Sequence, residues 1–252
     1  MLTEEEVKKY AHMRRLKLLD QIWKDYLQDL LLHLLYRKIP EMIFSGGTCI
    51  WKAFKGDRFS EDIDAYVSEM PEDLPDYLKK ELALFGTDCK ISKSKKTANM
   101  LFLKLGLSFP GHHREIILSI EILKSSKPKT IERVTLYSPY PDIPPVEMIV
   151  LSKEEMLANK VSAIYQRNRP RDVYDVALLL KFGAKIDMKL IKKKIPKFNL
   201  KTFEKKMQEK QKTWKSLEPL VVTKLPEFKE QVKYIISFFQ DIQSIDKDSK
   251  SM

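Results

Sequence analysis

One stretch of the chain decides the fold: residues 44–66 read FSGGTCIWKAFKGDRFSEDIDAY. The pattern predicts a short apolar strand, a turn at Gly46 and Gly47, a helix over about Thr48–Phe54, a second turn, and a strand that carries two aspartates. Glycines between a strand and a helix let backbone N–H groups approach an anion, and the helix dipole favours negative charge there. A double glycine also fits an ordinary tight turn, so the residues that follow decide its interpretation.

The two aspartates, Asp62 and Asp64, are separated by one residue of a predicted strand. Residues i and i+2 of a strand share a face, so both carboxylates project together, while Ile63 and Ala65 turn toward the core. Two adjacent carboxylates repel each other unless a cation lies between them, and Mg²⁺ prefers carboxylate oxygens. The pair therefore predicts a magnesium site, and solvent-facing aspartates at a strand edge are the alternative.

A third acid, Glu121, lies in the predicted strand Glu115–Leu123, which is otherwise almost entirely apolar. A carboxylate in such a strand is costly unless it is paired or binds a metal. If this strand lies beside Ile63–Val67, three acids converge on one patch. The alternative is a Glu–Lys pair at the sheet edge, with Lys104 or Lys124 as the partner.

The spacing of apolar residues changes twice along the chain. It is helical to about Tyr36, alternates in short runs through the middle, and is helical again after Ser152. The predicted fold class is α/β (α+β), with a mixed-sheet core, an N-terminal helix and a helical C-terminal domain. The predicted boundaries are 1–39 for the N-terminal helical region, 40–150 for the core, 151–245 for the C-terminal domain and 246–252 for the tail.

Five core strands are predicted from short runs of β-branched, aliphatic and aromatic residues. They are Met42–Phe44, Ile63–Val67, Met100–Leu107, Glu115–Leu123 and Arg133–Tyr137. The third and fourth strands flank a Pro-Gly turn, which predicts an antiparallel hairpin. In the C-terminal domain, Ser152 and Glu155 predict a capping box, and Pro170 predicts the first turn of a helix. Further helices are predicted at about Asp187–Lys194, Leu200–Lys215 and Pro226–Ile242.

The composition excludes several classes of protein. The chain has 252 residues, 46 Lys+Arg and 35 Asp+Glu, for a formal charge of +11. Its two cysteines are too few for a disulfide scaffold or a four-thiolate zinc site. It has neither the roughly 18 consecutive apolar residues of a membrane span nor the apolar stretch of a signal peptide at its start. We therefore expect a cytoplasmic protein with no membrane partner.

Most of the net charge lies between Lys181 and Lys215, which hold thirteen lysines and three acids. Lysines are mobile point charges that suit a phosphate backbone and read bases poorly. This stretch permits a nucleic-acid partner, and a solvated helical face is the alternative.

Four segments together resemble a known family. GGT at 46–48, followed by the aspartate pair, resembles the nucleotidyltransferase superfamily. With RFSEDID at 58–64, it resembles more closely the AbiEii/AbiGii toxin family, which includes the MenT toxins. The resemblance continues in NK at 159–160 and RPRDVYD at 169–175, and it covers about residues 42–180.

The resemblance implies a metal-dependent active site. Asp62 and Asp64 would hold two Mg²⁺ ions, with Mn²⁺ as a substitute, and Glu121 would be a third ligand or the base near the acceptor hydroxyl. Two metals about 3.5–4 Å apart stabilise both the entering and the leaving oxygen of an in-line displacement. The residues implied in nucleotide binding are Gly46, Gly47, Thr48 and Lys160.

Two parts of this assignment stay open. Many nucleotidyltransferases have serine where this chain has Gly47, so a hydroxyl contact to the terminal phosphate comes from Thr48 or is absent. Asp172 is the implied later catalytic acid, but Asp175 lies one turn on and shares its face, with Arg169 or Arg171 as a partner. The alternatives are a surface lysine at 160 and an Asp172 that serves only the helix dipole.

The function implied by the resemblance is transfer of a nucleotide from an NTP to an acceptor, as the toxin of a toxin–antitoxin or phage-defence system. The lysine-rich helices favour an RNA acceptor, with the tRNA 3′ end as the candidate, and a toxin implies a cognate antitoxin. One alternative is a nucleotidyltransferase that acts on a protein or small molecule. The other is a catalytically silent nucleic-acid-binding module.

Overall fold

A computed structural model describes residues 2–109, 112, 114–125 and 130–248. The chain divides into two compact units, Met1–Leu151 and Ser152–Met252. Within the described ranges, no helix combines the length and apolar character needed to cross a bilayer. The finer boundaries at 39/40 and 245/246 stay predictions.

The first unit is built on a mixed β-sheet, to which the described residues contribute seven strands. These are β1 (Ile43–Ser45), β2 (Ile63–Val67), β3 (Asp88–Thr97), β4 (Met100–Ser108), β5 (Ile116–Lys124), β6 (Ile131–Leu136) and β7 (Val146–Leu151). Their order across the sheet is β3-β4-β5-β2-β1-β7-β6. The pairs β1–β7 and β2–β5 are parallel, and the other neighbours are antiparallel. The predicted mixed-sheet core is confirmed.

The five predicted strands all form, each within two residues of its predicted ends. The predicted hairpin is the antiparallel pair β4–β5, although its Pro110-Gly111 turn lies outside the described residues. Strands β3 and β7 and the helix at Leu74–Leu84 were not predicted. Strand β3 reads DCKISKSKKT, and a lysine-rich segment of this kind becomes a strand only because β4 pairs with its full length.

The described residues of this unit form four α-helices: α1 (Glu4–Ala11), α2 (Leu19–Lys38), α3 (Gly46–Lys52) and α4 (Leu74–Leu84). Helix α3 begins and ends two residues earlier than predicted, because the glycines themselves form its first turn. Helix α2 contacts β5 and β7 and is buried on nearly every side, so several of its polar residues are buried together with its apolar ones. Its Tyr36 hydroxyl donates to the carbonyl of Ile149 at 2.6 Å.

Two charged residues of α2, Asp25 and Asp29, lie one helical turn apart and are completely buried. The Arg14 guanidinium contacts both carboxylates at 2.8 and 2.9 Å, and the Lys52 ammonium of α3 lies 2.7 Å from Asp29. Burial alone would raise the pKa of Asp25, but Lys52 and Arg14 outweigh it and hold this pKa below its usual value. Tyr140 also donates to Asp25 at 2.9 Å. Two cations thus balance two carboxylates, and the cluster ties α2 to α3.

The second unit is helical, as predicted. Its helices are α5 (Lys153–Gln166), α6 (Pro170–Lys181), α7 (Met188–Lys194), α8 (Leu200–Gln208) and α9 (Phe228–Asp248), with a 3₁₀ segment at Gln211–Leu220. The Ser152 hydroxyl accepts the Glu155 N–H at 3.3 Å, and Pro170 opens α6. The helix predicted over Leu200–Lys215 is instead α8 followed by the 3₁₀ segment. Helix α9 continues past its predicted end at Ile242.

We expect Lys52→Met to lower the free energy of unfolding of the first unit by about 3–5 kcal/mol, because it leaves a buried carboxylate without its cation. The matched control is Lys206→Met in α8, whose ammonium lies 3.0 Å from Glu209 in an exposed pair and should cost less than about 1 kcal/mol. Urea unfolding followed by tryptophan fluorescence measures both, and equal losses would contradict the prediction.

Candidate active site

The candidate site is built around Gly46, where β1 ends and α3 begins. Gly46 has a φ of +78°, and a Cβ atom there would lie 2.0 Å from Oδ2 of Asp64. Ser45 is the partner of Asp64 in the β1–β2 ladder, which brings the carboxylate over the turn. Glycine is therefore required at this position by the backbone conformation and by the close approach of Asp64.

The second glycine, Gly47, is enclosed by the segment that leads into β2. A Cβ atom at Gly47 would lie 2.6 Å from Oγ of Ser60 and 2.7 Å from Nη2 of Arg58. Arg58 is 2% exposed, and its guanidinium donates to the Phe59 carbonyl at 2.9 Å. A serine at position 47 would collide with both side chains, and this explains the departure from the nucleotidyltransferase pattern noted above.

Buried side chains hold the backbone on both sides of Asp62. The Gln28 amide of α2 donates to the carbonyls of Ser60 and Glu61, each at 2.8 Å. The Thr48 hydroxyl donates to the carbonyl of Asp62, and Thr48 is completely buried. This contact favours a positioning role for Thr48 over the predicted contact with a phosphate.

The three predicted acids lie at one place on the sheet. Asp64 of β2 and Glu121 of β5 are direct partners in the parallel pairing, and Asp62 directly precedes β2. All three are half-buried, whereas Ile63 and Ala65 are buried on the other face. The two strands are neighbours, which meets the condition stated above for the convergence of the three acids. Among the described residues, the Glu121 carboxylate has no hydrogen-bond or ion-pair partner, so the alternative Glu–Lys pair does not form.

The donor set has the chemistry of a hard-cation site, because its three side chains offer only carboxylate oxygens. In the part of the chain that the structure describes, no three His, Cys, Asp or Glu side chains are already grouped closely enough to hold a metal ion. A divalent ion would have to draw Asp62, Asp64 and Glu121 together.

The remaining predicted residues form a cluster of their own in the second unit. Both Asp172 oxygens accept from the Arg167 guanidinium at 2.8 Å, and Asp172 is completely buried. The Lys160 ammonium lies 2.6 Å from Asp175 and 3.6 Å from Asp172. Lys160 is 8% exposed, so the alternative of a surface lysine is wrong. Arg167 is thus the arginine that pairs with Asp172, and Arg169 or Arg171 as a phosphate or intramolecular partner stays a prediction.

Sequence reasoning missed the residues that support the site from α2, from α3 and from the segment before β2, namely Asp25 and Gln28, Lys52, and Arg58. One signal was available for the first two, because polar residues interrupt the apolar pattern of α2 at helical spacing. A buried polar group must find a partner, which marks such positions as contacts with another element.

Comparison with known proteins identifies the family of the chain and shows which solved structures share its fold. A family model described as "Nucleotidyl transferase AbiEii toxin, Type IV TA system" matches residues 29–241. No curated protein matches the chain. The fold is similar to that of JHP933 from Helicobacter pylori, with a TM-score of 0.59, 19% identity, and coverage of 92% of this chain and 95% of that one. It is also similar to an H. pylori protein provisionally described as a nucleotidyltransferase, with a TM-score of 0.58, 18% identity, and coverage of 89% and 95%.

We expect Gly46→Ala to destabilise the protein more than Gly183→Ala does. Gly183 has nearly the same φ, +79°, but a Cβ atom there would meet nothing within 4 Å. The control therefore measures the backbone cost alone, about 1–2 kcal/mol, whereas Gly46→Ala also displaces Asp64 at a further cost of about 1–3 kcal/mol. Urea unfolding of both variants checks this, and an equal loss would mean that Asp64 moves aside freely.

Proposed function

The chain belongs to the AbiEii family of nucleotidyltransferase toxins, and we propose that it transfers a nucleotide from an NTP to an RNA acceptor. The observation that carries this proposal is the pairing of Asp64 with Glu121 on adjacent strands, directly over the glycine turn at Gly46. This arrangement sets carboxylate oxygens for a metal beside backbone N–H groups that suit a triphosphate.

Asp62, Asp64 and Glu121 would hold two Mg²⁺ ions, for which Mn²⁺ can substitute. When bound, the metals neutralise the triphosphate and polarise the oxygens that enter and leave. Gly46 and Gly47 would offer backbone N–H groups to the phosphates, with Thr48 keeping Asp62 in place. An acceptor oxygen forms a bond to the α-phosphorus, the bond to the β-phosphate oxygen breaks, and pyrophosphate leaves. Glu121, which has no partner among the described residues, would take the hydroxyl proton or complete the metal shell.

The roles of Lys160 and Asp172 are also proposals. The 2.6 Å contact with Asp175 orients the Lys160 ammonium, which would bind NTP phosphates. Both oxygens of Asp172 accept hydrogen bonds from Arg167, so we propose that Asp172 is a positioning residue. In this proposal the working residues are Lys160 and Asp175, which Asp172 helps to align.

An RNA acceptor is supported by charge. The chain carries a net +11, and thirteen lysines lie between Lys181 and Lys215. Lysine-rich surfaces bind phosphate backbones through release of counterions. We propose the 3′ end of tRNA as the acceptor, the cytoplasm as the place of action, and a cognate antitoxin that neutralises the activity, in a toxin–antitoxin or phage-defence setting.

We expect Asp62→Asn, Asp64→Asn and Glu121→Gln each to lower the incorporation of labelled NTP into total RNA by about 1,000-fold, since each removes a metal ligand worth several kcal/mol. The matched control is Glu115→Gln, an exposed carboxylate on the same strand segment that contacts neither aspartate. Circular dichroism confirms that each variant is folded.

Retained incorporation in the two aspartate variants would contradict the mechanism. Incorporation into a protein lysate or a small molecule, with none into RNA, would instead identify the acceptor as one of the alternatives. Binding of RNA that is indifferent to NTP and Mg²⁺, with no transfer to any acceptor, would identify a silent binding module.

We expect Lys160→Met to weaken NTP binding about tenfold or more, because it removes a phosphate-binding charge worth more than about 1.4 kcal/mol. Asp175→Asn is the comparison: it disrupts the same buried pair and loosens the orientation of the ammonium but keeps its charge, so it should weaken NTP binding less than Lys160→Met does. Titration with a fluorescent NTP measures binding, and thermal unfolding should show similar losses of stability for both. Equal weakening of NTP binding would indicate that the lysine is only structural.

A further inference from the structure

The sheet face that carries the three acids continues across β4 to the edge strand β3. Glu121 of β5 is the direct partner of Phe102 of β4, and Phe102 is the direct partner of Lys95 of β3. Directly paired residues share a face, and neighbouring strands are about 4.8 Å apart, so Lys95 lies about 10 Å from Glu121 along this row. The row therefore begins with an acid (Glu121), continues with an aromatic ring (Phe102) and ends with a cation (Lys95).

The adjacent row repeats this change of charge. Ser119 of β5 pairs with Lys104 of β4, and Lys104 pairs with Lys93 of β3. The Lys93 ammonium lies 5.9 Å from the centre of the Phe102 ring. The three lysines and Phe102 therefore form one connected surface on the outer part of the sheet, which we call the basic strip (Lys93, Lys95, Phe102, Lys104).

The charges of the basic strip are available to a ligand. All three lysines are exposed and Phe102 is half-buried. No acid occurs in the sequence from Lys90 to Lys104, and within the described ranges none of the three lysines has an ion-pair partner. The strip ends where the Glu115 carboxylate lies over Gly106, the position that a Cβ atom would occupy. The opposite face of β4 is apolar and includes the buried side chains of Leu101, Leu103 and Leu105.

We propose that the basic strip binds single-stranded RNA and guides its acceptor end to Glu121. Unpaired lysines along an open surface suit a phosphate backbone, and an exposed aromatic ring between them offers a stacking platform for a base. Spread over two strands, the lysines suit a chain of phosphates better than a single triphosphate. Guidance of the acceptor end toward Glu121 rests on the proposed transferase function, whereas binding of RNA to the strip does not.

The sharpest test compares two neighbouring lysines of β3. Lys95 belongs to the strip, whereas Lys96 pairs with Leu101 and therefore lies on the opposite face. Fluorescence anisotropy with labelled oligouridine RNA should show that Lys95→Gln weakens binding at least about threefold more than Lys96→Gln. Each variant removes one positive charge from the same strand, β3, so the two variants have the same net charge and the same strand context.

A second comparison uses triple variants. Changing Lys93, Lys95 and Lys104 to Gln should weaken RNA binding about tenfold or more and reduce the salt slope by about 2, since each phosphate contact on a single strand contributes about 0.7. The control changes three exposed lysines of the first unit that lie outside the strip, Lys9, Lys17 and Lys80, to Gln. Phe102→Leu keeps an apolar side chain but removes the ring, and it should weaken binding about fivefold or more.

Equal losses for Lys95→Gln and Lys96→Gln would overturn the proposal, as would a larger loss in the control triple variant. An effect of the lysine variants on NTP binding alone would also overturn it. So would a finding that the wild-type protein binds a protein more tightly than it binds RNA. Asp64→Asn separates this proposal from the transferase function, because it should abolish transfer and leave RNA binding unchanged. If wild type binds RNA through the strip but transfers no nucleotide, the proposed function fails and the binding surface stands.

Discussion

Asp25 and Asp29 lose their hydration when α2 packs against the sheet, and this loss is tolerable only because Lys52 and Arg14 neutralise them. Lys52 is the last residue of α3, the helix that begins at the glycine turn. The buried cluster therefore fixes α3 relative to α2, and Gln28 of α2 fixes the backbone that precedes Asp62. Breaking a buried ion pair costs more than the pair contributes relative to apolar residues, so the cluster acts as a constraint on geometry.

The consequence of this constraint is close packing at the glycine turn. Asp64 and the Arg58–Ser60 segment approach the two glycines from different sides, and neither approach leaves room for a side chain. The Ser45 hydroxyl donates a hydrogen bond to the carbonyl of Asp64, and the Thr48 hydroxyl donates one to the carbonyl of Asp62. Side-chain contacts with backbone carbonyls thus hold the turn on which the proposed cation and anion sites depend.

The sheet presents two electrostatic environments on one face. At its centre, Asp62, Asp64 and Glu121 provide negative charge that suits divalent cations, and toward the β3 edge the basic strip provides positive charge that suits phosphates. An edge strand rich in lysine also resists pairing with other chains, so the same residues protect the edge. For a polyanionic substrate, separate regions for metal and phosphate backbone would keep the lysines from pairing with Asp62, Asp64 and Glu121, the proposed metal ligands.

The local sequence by itself determined the strand that carries Asp62 and Asp64, since alternation of Ile63, Ala65 and Val67 with polar residues admits only one face for the core. It also determined the strand with Glu121, the β4–β5 hairpin and the start of α6 at Pro170. Only the tertiary structure decided that β5 lies beside β2, that the lysines of β3 form a strand, and that Lys160 is buried against Asp175. These outcomes depend on which distant segments meet, and the partners of a buried charge or an edge strand are separated from it in sequence, so no local pattern contains them.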